Sequence, residues 1–172
     1  MAMRRGAGDP AWIMFASMVG LLVFLWLMAI PLALAPAPIG PAAQQFAEGA
    51  RVMITDLLDE PGQALASELG DAAAYMHQDV TSRDDWDAVI SATEKRFGRI
   101  DSLVNNAGII FFSGFEDFSD AQISALMNVN VLGVIYGCQA IIPALERSGG
   151  GTIVNMSSAD GIAGANAVSV YC

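Results

Sequence analysis

The stretch Ile100-Asp101-Ser102-Leu103-Val104-Asn105-Asn106-Ala107-Gly108 decides the fold. Ile100–Val104 is a short strand candidate, and it runs directly into two amides, a small residue and a glycine. That sequel suits a backbone passing close to a ligand, with side chains tying adjacent strands together. A turn alone accounts for one Asn and the Gly and does not need both amides.

Outward from this stretch the pattern repeats. Arg51–Thr55 is a β-branched apolar strand candidate ending at Asp56, Ala73–His77 ends at Gln78 and Asp79, and Thr152–Met156 runs into Ser157 and Ser158. Helical patterns lie between them. Pro61–Leu69 stops at Gly70. Ser82 with Asp85 resembles a capping box opening a helix whose Trp86, Ile90 and Phe97 share a face, closed by Gly98. Ser119 with Gln122 opens another, through Leu126, Val129 and Val134 towards Leu145, with Gly149 beyond its end. Strands alternating with helices predict an α/β fold, a doubly wound parallel sheet covered on both faces. Ligands of such sheets sit at the carboxyl ends of the strands. Gly149-Gly150-Gly151 precedes a strand and follows a helix, the wrong order for a phosphate loop, and reads as a helix stop.

Composition narrows the function classes. The chain has 172 residues and a net charge of −10, against the clustered Lys and Arg that nucleic acid requires. Cys138 and Cys172 are too few and too far apart for a disulfide framework or thiolate metal site, and His77 is the single His. No metal site is expected. Among the polar residues past each strand, Asp56 is placed to accept hydrogen bonds from the ribose hydroxyls of an adenosine and to repel a 2′-phosphate, which favours NAD over NADP. Asp79 reads equally as a contact to an adenine amino group or as the N-cap of the helix near Ser82.

Asn105-Asn106-Ala107-Gly108, Asn128-Val129-Asn130, Ile153–Ser158 and Tyr171, in that order, resemble the short-chain dehydrogenase/reductase family in its short single-domain branch. The resemblance runs from about Gln44 to Cys172. It implies a Rossmann-like sheet and reversible hydride transfer between NAD(H) and a secondary alcohol or ketone. Tyr171 would be the acid/base and Ser158, thirteen positions earlier, would hydrogen-bond the substrate oxygen; Asn130 would hold a water of the proton relay. Asp56, Asp79, Val80, Asn106, Ala107 and Gly108 fall on cofactor-contact positions, and the helix through Asn130 on the family's contact between subunits.

Two departures accompany the match. The family's Lys four residues after the Tyr has no counterpart, because the sequence reaches Cys172 one residue after Tyr171. At the other end, aligning Ile39-Gly40 with the end of the family's T-G-x-x-x-G-I-G turn puts Ala33, Leu34 and Pro38 where Thr, Gly and Gly belong, and leaves Gly40 as a cofactor-contact candidate. Pro38 and Pro41 also remove backbone donors that a phosphate would need. The expectation is a partial domain, over 39–172, impaired on its own. The alternatives are a membrane-anchored, non-catalytic binding module and a fragment without an independent role.

The leader, residues 1–38, is a different polymer. Residues 10–47 carry no charge, and the remainder from Glu48 carries 17 acidic against 6 basic side chains. The run from Ala11 to Leu34 is long enough to span a bilayer as a helix. Its Leu, Ile, Phe and Val up to Ile30 favour insertion by roughly 3 to 6 kcal/mol, with Arg4 and Arg5 holding the amino end inside. A transmembrane helix is expected over residues 11–34, making the chain membrane-associated. Otherwise it is cytoplasmic. A signal peptide cleaved after Ala33-Leu34-Ala35, a buried strand of the following domain and a misplaced gene start are the other readings.

Overall fold

The computed structural model describes residues 12–16, 49–164 and 166–171. Five parallel strands form one sheet: β1 (Trp12–Ala16), β2 (Arg51–Asp56), β3 (Ala73–His77), β4 (Ser102–Asn105) and β5 (Thr152–Asn155), in the spatial order β3-β2-β1-β4-β5. Between them run α1 (Asp59–Leu69), α2 (Arg83–Phe97), α3 (Asp120–Leu126) and α4 (Val134–Arg147), and a last turn, α5 (Asp160–Ala163), follows β5.

Alternation along the strands builds two cores. Met53 and Leu103 face Trp86, Val89, Ile90 and Phe97 of α2 and Ile141, Ala144 and Leu145 of α4. Val52, Ile54 and Val104 face the other way, with Ala66 of α1. A sheet sandwiched this way needs strands that are apolar on both faces, which is why they read as short continuous runs. The helix signals hold locally. Ser82 Oγ accepts the Asp85 N–H as N-cap of α2, and Ser119 forms a reciprocal capping box with Gln122 at α3. Gly98 ends α2 in the left-handed region at φ 88°, which side chains with a Cβ adopt only with strain.

One expectation is corrected. The apolar leader was read as a membrane helix from Ala11, but its residues Trp12–Ala16 are the central strand, paired in register with β2 (Trp12 with Arg51) and β4 (Ile13 with Ser102). A central parallel strand and the start of a membrane span demand the same composition, so the apolar run could not choose between them. The sheet therefore draws its middle strand from inside the segment 1–38, and a boundary at residue 38 does not part leader from domain. The rest of the expected span, 17–34, and Gly40 lie outside the described residues. The helix expected through Asn130 is continuous over Asp120–Arg147, and within it Met127–Gly133, between α3 and α4, is π-helical.

Among the described residues one helix, the continuous Asp120–Arg147, is by length and composition alone long and apolar enough to cross a membrane. Its Leu126, Ile141, Ala144 and Leu145 are buried.

Candidate active site

Because all five strands are parallel, the segments that follow them gather at one end of the sheet. The strand order reverses between β1 and β4, the point where open α/β sheets bind ligands. Asn105–Gly108 lies there.

Asn105 is 3% exposed and closes β4. Its Nδ2 donates to Asn155 Oδ1 at 2.9 Å, tying β4 to β5 at the end of their shared register, and approaches Cys138 Sγ at 3.5 Å. The first amide of the motif thus performs the strand-tying role expected of the pair. Its Oδ1 has no hydrogen-bond partner among the described residues and faces Gly137. A Cβ on Gly137 would sit 2.6 Å from that oxygen and 2.7 Å from the indole, so only Gly lets α4 approach. Asn155 was missed as a site residue in the sequence. An amide at the end of an apolar strand was the available signal.

After Asn105 the chain opens outward. Asn106 and Ala107 are half-buried and Gly108 is exposed. Asn130, on the π-helical segment, holds the next residue at both main-chain atoms: Ile109 N–H donates to its Oδ1 at 2.9 Å and its Nδ2 donates to Ile109 O at 2.8 Å. The carboxamide therefore fixes the exit path of β4.

At β2, the buried Asp56 accepts the Leu58 N–H on Oδ1 at 3.1 Å, and its main-chain oxygen accepts the Gln78 N–H and the Tyr75 hydroxyl. At β3, Asp79 Oδ1 accepts both the N–H and the hydroxyl of Thr81, an Asx turn. Ser82, not Asp79, is the N-cap of α2, which corrects the capping alternative for Asp79. Val80 is buried in the core with its carbonyl accepting the Trp86 Nε1–H at 2.9 Å. Gln78, 2% exposed with neither end of its carboxamide partnered among the described residues, was also missed in the sequence.

Past β5, Ser158 is half-buried and its Oγ accepts the Asp160 N–H at 3.2 Å, while Ser157 is exposed. Tyr171 is half-buried in a turn closed by its N–H on Val168 O at 2.8 Å. Ser158 and Tyr171 share no hydrogen bond among the described residues. The turn before Tyr171 is nonetheless joined to the site, since Ser113 N–H from the loop after β4 donates to Ala167 O at 2.8 Å. Among the described residues no cluster of His, Cys, Asp or Glu could hold a metal ion.

Gly108 and Asp56 bear on whether a dinucleotide fits here. A Cβ on Gly108 would meet nothing closer than 3.7 Å, so packing among the described residues does not demand the glycine and its side is open. Asp56 places a carboxylate at the end of the strand flanking the switch point. Both suit an adenosine-bearing cofactor.

The family model for short chain dehydrogenases matches residues 40–172. The chain belongs to this family. It is similar, at 42% identity over 125 residues, to a 3-alpha-(or 20-beta)-hydroxysteroid dehydrogenase of Mycobacterium tuberculosis (strain CDC 1551 / Oshkosh), covering 73% of this chain and 48% of the relative. A trans-4-hydroxycyclohexanecarboxylate dehydrogenase of Sinomonas cyclohexanicum is 37% identical over 127 residues, 69% of this chain and 49% of that protein. The chain thus spans about half the length of these curated relatives. The crystal structure of a 3-ketoacyl-(acyl-carrier-protein) reductase from Brucella melitensis complexed with NADH superposes with a TM-score of 0.79 at 24% identity, over 95% of this chain and 63% of that one. The last likeness establishes the short-chain dehydrogenase fold.

Proposed function

We propose that the chain carries the cofactor-binding and proton-transfer residues of an NAD-dependent short-chain dehydrogenase acting on secondary alcohols or ketones. The observation that carries this reading is the switch point itself: Asn105 buried and tied to Asn155, Asn106–Gly108 opening outward, and Asp56 one strand away. The nicotinamide bound there would exchange a hydride with the substrate's carbinol carbon.

The protein's own groups supply the rest. Tyr171 takes the hydroxyl proton as the alcohol is oxidised and returns it in the reverse direction. Ser158 donates a hydrogen bond to the substrate oxygen, where negative charge develops. Its hydroxyl can do so while still accepting the Asp160 N–H, since a serine oxygen both donates and accepts. Asn130 keeps the loop after β4 in place, and its remaining capacity is directed at a water of the relay. Asp56 accepts from the ribose hydroxyls and repels a 2′-phosphate, while Asp79 and Val80 border the adenine. Pro38 and Pro41 lack the amide donors that a pyrophosphate would need, so the chain is expected to bind weakly and turn over slowly by itself.

A fluorescence titration with NADH and NADPH tests this. NADH is expected to bind at least about tenfold tighter, one tenfold being about 1.4 kcal/mol, and Asp56→Ser to erase the difference. Equal affinities in the unsubstituted chain would refute the assignment of Asp56.

The helix Asp120–Arg147 favours a second copy of the chain as partner. Ile123, Met127, Val131 and Ile135, spaced four apart, are all exposed, as is Ile142. Such a stripe costs hydration free energy in a monomer and pairs naturally with itself about a two-fold axis.

A further inference from the structure

We propose that Phe112 and Phe115 are specificity-determining residues that grip the apolar skeleton of the substrate, so that the site takes a neutral, ring-bearing alcohol or ketone in preference to a polyol. The proposal deepens the dehydrogenase reading above and rests on it.

Phe112 is 75% and Phe115 72% exposed, on the loop between β4 and α3. The loop is pinned along its length. Asn130 holds Ile109, Ser113 N–H donates to Ala167 O, Asp117 N–H donates to Gly114 O at 3.1 Å, and the capping box of Ser119 and Gln122 closes it. Phe111 and Phe118 are half-buried. The two outward rings are therefore presented by an anchored backbone. A ring of this kind has on the order of 150 to 250 Å² to bury, which a mere connection between two elements would leave to polar residues.

Their location gives the rings a use. The loop follows β4 at the ligand-binding end, and the bond from Ser113 to Ala167 sets it beside the turn that carries Tyr171. Past β5, Met156 and Ile162 add further exposed apolar side chains at the same end of the sheet. From Gly108 to Phe118 the sequence offers aromatic rings, Ser113 and the carboxylates of Glu116 and Asp117, with no amide and no basic side chain. A polyol could bond only to Ser113 and the two carboxylates and would leave both rings in water, an anion would be repelled, and an uncharged hydrocarbon ring would bury the two phenyl groups.

The test uses the full chain and two probes, the apolar bicyclic alcohol 2-decalinol and the polyol ribitol, titrated calorimetrically with and without saturating NADH. Decalinol is expected to bind at least about tenfold tighter than ribitol. Joint Phe112→Ala and Phe115→Ala should remove most of that tenfold while leaving NADH affinity and the thermal midpoint unchanged, with Leu at both positions restoring part of it. Should NADH bind while the Ala pair leaves decalinol affinity untouched, or should ribitol bind as tightly as decalinol, the grip is overturned and the dehydrogenase reading stands. Failure of NADH to bind, with decalinol still weakened by the Ala pair, would overturn the dehydrogenase reading and keep the apolar grip. If neither NADH nor decalinol binds, both fall.

Discussion

Gly137 shows how one residue sets the site's architecture. It lets α4 lie against Asn105 and Trp86, and a methyl group there would collide with both. Gly137→Ala should destabilise the fold by about 1 to 3 kcal/mol through overpacking, measured as a lowered urea midpoint. A neutral result would mean that α4 can back away from β4. A second residue-scale expectation concerns Asp59, whose Oδ1 accepts from both the Tyr75 hydroxyl and His77 Nδ1 at 2.8 Å. These hydrogen bonds, Tyr75's first, hold the Asp59 carboxyl below its ordinary value. Burial, reinforced by the bond to Asp59, holds the Tyr75 phenol well above its own. A depressed acid contributes stability above its unfolded pKa, about 4, that is lost as pH falls through the folded value. A raised phenol contributes below about 10 and loses it as pH climbs further. The contact is thus at full strength between these limits. Asp59→Asn should flatten the acid limb of urea midpoint against pH, and Tyr75→Phe the alkaline limb.

At the scale of elements, caps and one irregular turn do the positioning. Ser82 Oγ bonded to the Asp85 N–H caps α2 two residues after Val80, so the cap also fixes the end of the β3 loop. Ser82→Ala should cost about 1 kcal/mol in chemical unfolding. The π-helical turn Met127–Gly133 carries Asn130, whose two bonds to Ile109 make this helix the anchor of the loop after β4. Asn130→Ala should leave the Ile109 amide unpartnered and speed hydrogen exchange at Ile109 and Ser113, while exchange in β2 and β3 stays as before. Uniform acceleration across the sheet would show Asn130 to be a general stability residue instead. The N-cap at Ser82 and the capping box at Ser119 were legible in the sequence because they are local signals within four residues. The π turn was not, since the apolar spacing around Asn130 is that of an ordinary helix.

For the whole molecule, the exposed stripe on Asp120–Arg147 predicts self-association. Sedimentation at rising concentration should show a dimer, and Val131→Asp with Ile135→Asp should return the monomer without changing the circular dichroism spectrum. A chain that sediments as a monomer throughout would refute the pairing of this face.

The sequence by itself determined the alternation of strands and helices, four of the five strands to within two residues, and the grouping of Asp56, Asp79, Asn106 and Ser158 at one end of a parallel sheet. Each of those follows from local periodicity and from the geometry that parallel strands share. Only the tertiary structure decided that Trp12–Ala16 is the central strand, that Asn105 spends its amide on Asn155, and that Phe112 and Phe115 are held in solvent. An apolar run satisfies a bilayer and a buried sheet equally, and an amide or a ring declares its partner only once distant segments are packed around it.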